Sequence, residues 1–355
     1  MEKINYEQFS EKIFAIASKE KKLIYATIEL TDQCNFSCKH CYLGDKGNVV
    51  FLDVDFVKET LMELKERGCL CLIITGGEPL MHPHFKEIYI YAKKLGFIIT
   101  VFTNAYLLTE DVVEMFVKYK PLMIEVSIYG VDEDSYVNLT QCKGAYDKVI
   151  NNIKLLKENN IFTRLKTMLL KQTSQYIPQM YELADSYGME FRWDYYIVQT
   201  LDGETNVEST CLLSEEEIVE HIMKDPAKLE LFEEAIASEE PQNDLLYKCN
   251  AGLTNVYISA KGELSICAIA REPKYDLING SLDDGLNFVR DVGLMKMPKH
   301  LECSSCDKIT FCGYCPSKFN LETGDYYKPI TKYCNIARLV LKKLSEKGKV
   351  EISNE

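Results

Sequence analysis

Thr31-Asp32-Gln33-Cys34-Asn35-Phe36-Ser37-Cys38-Lys39-His40-Cys41-Tyr42 comes directly after a β-rich run at residues 24–30. Three cysteines fall within eight residues, on what reads as the loop leaving a strand. Three thiolates at that spacing can hold three corners of a cubane iron–sulfur cluster and leave the fourth iron open. An open coordination position is where catalytic metal sites take substrate or cofactor. A zinc site with a distant fourth ligand, or buried free thiols, are the alternatives for the same residues.

Outward from this loop, short β-rich runs alternate with amphipathic stretches. Strands are expected at 24–30, 69–75, 97–103, 122–128, 163–169 and 190–196, and helices at 55–67, 83–95, 109–119, 145–158 and 174–187. Gly68, Gly96 and Gly188 stand where three of these helices should end. Such alternation implies parallel strands joined by right-handed crossovers. The expected fold class is α/β, a partial (β/α)6 TIM-like barrel, with its ligand site at the C-terminal ends of the strands. The pattern breaks after Asp202-Gly203 into an acidic, helix-leaning stretch at 214–240, bounded by Pro241-Gln242-Asn243. Runs at 255–258 and 263–266 flank Ser259-Ala260-Lys261-Gly262 as a hairpin, and residues 338–346 read as a helix. The expected division is an extension at 1–22, the barrel at 23–205, a helical linker at 206–243, a cysteine-rich domain at 244–340 and a tail at 341–355.

The chain of 355 residues is 46% hydrophobic and 27% charged, a globular composition able to bury a large core. A net charge of −13 and the absence of a basic stripe argue against nucleic-acid partners. The N-terminal residues lack the order of a secretory signal, and the apolar runs are too short to span a bilayer. A cytoplasmic protein with no membrane partner is expected. In that reducing compartment fourteen cysteines point to metal ligation rather than disulfides.

The Cys34-x3-Cys38-x2-Cys41 spacing, with His40 just before the last cysteine, resembles the radical S-adenosylmethionine (SAM) enzymes. Thr75-Gly76-Gly77-Glu78-Pro79, after the second strand, strengthens the resemblance. In that family the segment receives the SAM amino group, and glycines that admit close backbone approach beside a carboxylate suit an ammonium. The resemblance further places SAM contacts at Thr103, Asn104 and Ser127, and sets Lys166 toward the methionine carboxylate. Relatives often carry Arg-Gly after the fourth strand, where this chain reads Leu139-Thr140-Gln141. His82 and His84 read as loop or helix-start residues.

Seven later cysteines follow the order Cys249, Cys267, Cys303, Cys306, Cys312, Cys315 and Cys334. A zinc ribbon would use four and leave three over. With Gly262 ahead of Cys267, the layout resembles the SPASM extension of radical SAM enzymes. That resemblance implies a C-terminal cysteine-rich SPASM domain with two auxiliary clusters. One would be held by Cys303, Cys306, Cys312 and Cys334; the other by Cys249, Cys267 and Cys315, with a fourth position open or filled by another residue. The implied cofactors are three [4Fe–4S] clusters and SAM. Relatives usually have three residues between the last two cysteines of the core, against two between Cys312 and Cys315 here. Cys69 and Cys71 read as packing residues. Cys142 and Cys211 are candidates for a hydrogen donor or an extra ligand, and Tyr195-Tyr196 could line a substrate cavity.

The resemblance implies one-electron cleavage of SAM to a 5′-deoxyadenosyl radical that takes hydrogen from an unactivated carbon, within a dry pocket. SPASM-bearing relatives largely modify peptides and proteins. The expected substrate is a ribosomally made precursor peptide, which would receive a crosslink, a thioether or another oxidation. A sulfatase-maturing role is disfavoured because Ala268, not Asp, follows Cys267. Radical dehydrogenation of a small alcohol or sugar, peptide epimerisation, and a turnover-free electron carrier are the other readings. The stretch ahead of residue 24 is too short for a winged precursor-recognition domain, so recognition is expected from the barrel mouth or from a separate protein. A flavodoxin or ferredoxin would donate electrons to this oxidoreductase.

Overall fold

The computed structural model describes residues 6–44, 49–201, 210–237, 243–270 and 272–348. The Asp202-Gly203 break, Pro241-Gln242 and the outer parts of the 1–22 and 341–355 segments lie outside these residues.

The alternating pattern folds as six parallel strands: β1 (Tyr25–Glu29), β2 (Cys71–Thr75), β3 (Ile98–Thr103), β4 (Met123–Ser127), β5 (Thr163–Met168) and β6 (Glu190–Asp194). The crossover helices are Val54–Glu66, Phe85–Lys94, Glu110–Lys118, Ala145–Glu158 and Ile177–Tyr187. Each strand pairs with the next, Tyr25 opposite Cys71 and Ile124 opposite Thr163. The first crossover shows how the sequence sets an element. The Asp53 carboxylate accepts hydrogen bonds from the Asp55 and Phe56 amides, and Val57, Leu61 and Leu64 then recur on the buried face. Helix Glu133–Thr140 was not expected. It is started by a capping box between Asp132 and Ser135, in a stretch whose apolar residues keep no clear period.

The sheet does not stop at β1. β7 (Asn255–Ile258) pairs in parallel with it, Tyr25 opposite Asn255, and β8 (Glu263–Ser265) and β9 (Tyr275–Asp276) follow antiparallel. The nine strands run in the order β6-β5-β4-β3-β2-β1-β7-β8-β9. The expected hairpin is therefore present and serves to cover the edge of β1, which would otherwise expose unpaired backbone groups. The final helix, Thr331–Glu346, begins before residue 338 and runs through the boundary set at 340.

One side of the barrel strands is apolar. Ala26, Ile28, Val101, Ile124 and Leu165 are fully buried in one core with helix residues such as Leu61, Ile88 and Ile153. The lumen side carries charge. Glu125, 1% exposed, accepts from Lys166 Nζ at 2.9 Å and from two Arg192 nitrogens at 2.9 Å each, with Arg164 3.7 Å away. Burial alone would raise the Glu125 pKa; the Lys166 and Arg192 charges reverse this and hold it below the ordinary range.

Two backbone clasps hold the loop after β1. Gly77 N donates to Thr31 O and Glu78 N to Gln33 O, both at 2.8 Å. From the other side Ser37 N donates to Thr140 O at 3.0 Å, Lys39 N to Leu139 O at 3.1 Å, and Gln141 Nε2 to Ser37 O at 2.8 Å. Gly77 tolerates no side chain, since a Cβ would lie 2.5 Å from the Asp32 carbonyl oxygen.

Two outcomes are expected. Gly77→Ala must push two backbone segments apart, at about 1–3 kcal/mol, read as a lower midpoint in chemical denaturation and weaker retention of iron. Glu125→Ala leaves three cations facing one another. Because Arg192 and Arg164 keep access to water, the cost is about 1–3 kcal/mol, at the low end for a broken buried pair. Glu125→Gln should recover part of it.

Candidate active site

A cavity of about 500 Å³ opens at the C-terminal ends of the strands. Cys34, Cys38 and Cys41 all line it, and His40 lies with them. Phe36 N approaches Cys34 Sγ at 3.4 Å and Asn104 Nδ2 lies 3.7 Å from it, so this thiol already faces donors suited to a thiolate. The His40 ring packs 5.4 Å from Tyr129; burial pushes its pKa down to about 4, which leaves the imidazole neutral, and its Nδ1 has no hydrogen-bond partner among the described residues.

Gly76, Gly77, Thr103, Asn104, Ser127 and Lys166 line the same cavity. Lys166 is not a free cation there. It is bound to Glu125, sits 3.5 Å over the Phe102 ring, and burial holds it below the ordinary lysine range despite the carboxylate. Glu78 and Pro79 are not part of the lining. The Glu78 side chain is fully buried and accepts from Thr103 Oγ1 at 2.7 Å, Asn104 N at 2.7 Å and Leu80 N at 3.2 Å. Burial pushes its pKa up to about 7 against those three bonds. These bonds tie the turn after β2 to the end of β3. The expected structural reading of His82 holds, with its ring bonded to Leu52 O at 2.8 Å.

The seven later thiols form two groups. Cys303, Cys306, Cys312 and Cys334 line one small cavity with Arg338. Burial, with the neighbouring Cys312, Cys334 and Cys306, pushes the Cys303 thiol up to about 12. Cys249, Cys267 and Cys315 make the second group: burial and the other two thiols raise Cys267 to about 11. Thiols gathered so that each opposes ionisation of the next fit a site completed by positively charged iron. Among the described residues no three such side chains converge on a single ion, whereas a cubane takes one thiolate per iron.

Two candidates fall away from the site. Cys211 is fully buried among Leu139, Leu170 and Ile197, and Cys142 lies beyond helix Glu133–Thr140 with its Sγ beside Lys143 O. Neither lines the cavity that Cys34, Cys38 and Cys41 border. Cys69 is buried against Ile24 O, as a packing residue should be. Of the tyrosine pair, Tyr196 lines the cavity and the Tyr195 ring packs against it, tilted by 34° at 4.3 Å between centres. Glu125, Arg192 and Lys318 escaped the sequence reading. A lone charge in a β-rich run, or on a short helix, signals nothing until the strands close around it.

Residues 28–184 match the model of the Radical SAM superfamily. The chain is similar to the antilisterial bacteriocin subtilosin biosynthesis protein AlbA of Bacillus subtilis (strain 168), 25% identical over 325 residues that cover 86% of this chain and 69% of AlbA. It is also similar to the AdoMet-dependent heme synthase of Methanosarcina barkeri (strain Fusaro / DSM 804), 29% identical over 182 residues, 51% of this chain and 52% of that protein's length. Among solved structures, SuiB of Streptococcus suis bound to its precursor peptide SuiA shares the fold, with a TM-score of 0.69 over 92% of this chain and 80% of SuiB at 18% identity. The matched segment contains the cysteine loop and both backbone clasps that hold it. Residues 28–184 are a radical SAM domain.

Proposed function

We propose that this radical SAM enzyme matures a ribosomally made peptide, installing a crosslink, thioether or other oxidative modification. Cys34, Cys38 and Cys41 hold the SAM-binding cluster, and two auxiliary clusters are held by Cys303, Cys306, Cys312 and Cys334 and by Cys249, Cys267 and Cys315. The observation that carries the reading is that one cavity is bordered by the thiol triad and also by Cys267, Ala268 and Ile269 beyond the β7–β8 hairpin. A substrate seated there reaches both ends. Similarity to AlbA over most of the chain supports a peptide substrate.

When bound, the cluster and SAM together supply the one-electron cleavage that lets hydrogen be taken from an unactivated carbon. The chain binds, orients and keeps out water. Gly76 and Gly77 offer backbone at the cavity wall to the SAM ammonium, while Thr103, Asn104 and Ser127 give polar contacts beside it. Lys166, steadied by Glu125, would meet the methionine carboxylate. Phe102, Met168, Tyr196 and Ile197 line the remainder with apolar surface that excludes water from the reacting carbon. His40 stays neutral beside the cluster loop. Recognition of the precursor falls to the mouth of this cavity or to a separate protein, and a flavodoxin or ferredoxin supplies electrons.

Replacing Cys34, Cys38 and Cys41 together with Ala should leave about eight irons per chain and abolish release of 5′-deoxyadenosine from SAM; continued release would sink the assignment. With the unaltered enzyme, SAM and reductant under anaerobic conditions, mass analysis of the precursor peptide should show loss of a pair of hydrogens. A mass unchanged in H₂O but raised in D₂O, by one deuterium taken up per inverted carbon, would mean epimerisation instead. Glu78→Gln turns an amide NH₂ toward the Thr103 and Asn104 donors. Its expected effect is a loss of about 1–3 kcal/mol in stability, followed by thermal denaturation, with the SAM dissociation constant changed less than a direct ammonium contact would require.

A further inference from the structure

Lys318 lies on helix Pro316–Thr323, which begins directly after Cys315. It is 7% exposed, and its ammonium stands 3.7 Å from the centre of the Tyr196 ring and 4.9 Å from that of Tyr333. Both rings are fixed. Tyr333 donates to Ile197 O at 3.0 Å, and Tyr196 is pressed against Gly313, where φ is +72° and a Cβ would run into the ring. The absence of a side chain at Gly313 thus lets the Tyr196 ring lie between the cavity and the Cys312–Cys315 turn.

A lysine is seldom buried without a carboxylate, because the desolvation of its ammonium costs several kcal/mol if nothing offsets it. Among the described residues Lys318 has no ion pair. Burial is set against attraction to Cys315 first, then to Asp194, Glu322 and Cys312. Two of those four are thiols, one from each of the two groups. The two ring faces contribute cation–π attraction, which stabilises the ammonium without neutralising it. The carboxylates of Asp194 and Glu322 share in that attraction, and Cys315 contributes the largest part of it.

We propose that Lys318 is the buried counter-ion of the auxiliary iron–sulfur sites, above all the one that includes Cys315, and that it raises the reduction potential of that cluster. The proposal rests on the two-auxiliary-cluster reading above. A thiolate-ligated cluster gains a negative charge on reduction, and a fixed cation in a low-dielectric setting favours the more negative state. Lys318 acts through the cluster and touches no substrate; it is a tuning residue.

The test uses the full chain with Cys34, Cys38 and Cys41 replaced by Ala and reconstituted anaerobically, so that only auxiliary clusters give an electron-spin signal. Iron content is measured first. Absence of auxiliary iron in this parent would remove the underlying reading and the proposal with it. With iron in place, Lys318→Met should lower the reduced-to-oxidised ratio of one cluster about tenfold at a fixed potential, a downward shift of ~59 mV for one electron. Lys318→Arg should titrate close to the parent. An unchanged titration of the Met variant at full iron content overturns the proposal. Should the Met variant lose iron, retention by the Arg variant supports charge compensation, and equal loss in both variants overturns it in favour of packing alone.

Discussion

Close approach of two strand-end loops is the constraint on which this molecule depends. The loop after β1 carries three thiols and few apolar anchors, so side-chain packing alone could not hold it in one shape. Hydrogen bonds do so instead: the Gly77 and Glu78 amides donate to the loop on one side, and on the other the Leu139 and Thr140 carbonyls accept from its amides while the Gln141 side chain donates to Ser37 O. The first clasp needs the glycine pair, because carbonyl oxygens occupy the space a side chain would take. The second uses the stretch at the end of helix Glu133–Thr140. Here that stretch steadies the cysteine loop by its backbone and one amide side chain.

Glu78 shows how a motif residue can act at one remove. Its carboxylate is used up by Thr103, Asn104 and Leu80, which tie the turn after β2 to the end of β3. Thr103 and Asn104 then reach the cavity from a position Glu78 has set. The same economy appears at Glu125, which gathers Lys166 and Arg192 in the lumen and so keeps a cation beside the cavity at a tolerable desolvation cost. In both cases a buried carboxylate organises the groups that meet the ligand space.

The cysteine-rich region is continuous with the barrel. Because β7 pairs with β1, the end of its hairpin delivers Cys267 to the wall of the cavity that the N-terminal triad also borders. Tyr196, which leaves β6, reaches the Cys312–Cys315 turn from the far side of the sheet. Tyr196 and Cys267 thus line one cavity although their strands lie in opposite halves of the strand order.

The strands, the crossover helices and the ten paired or clustered cysteines of the three proposed sites were legible in the chain, because hydrophobic period and short cysteine spacing are local properties. So were the glycine pair and the polar residues closing β3 and β4, since a strand end is local too. Helix Glu133–Thr140 was not, as its start depends on a capping box rather than on periodicity. Nor could spacing show that Cys211 packs among Leu139, Leu170 and Ile197 while Cys267 lines the cavity. Those outcomes depend on which segments meet after the sheet closes. Pairing of β7 with β1, the burial of Glu78 away from the cavity, and the seat of Lys318 between two tyrosines bring together residues distant in the chain. Only tertiary structure decides such contacts, because charge, burial and reach act through space.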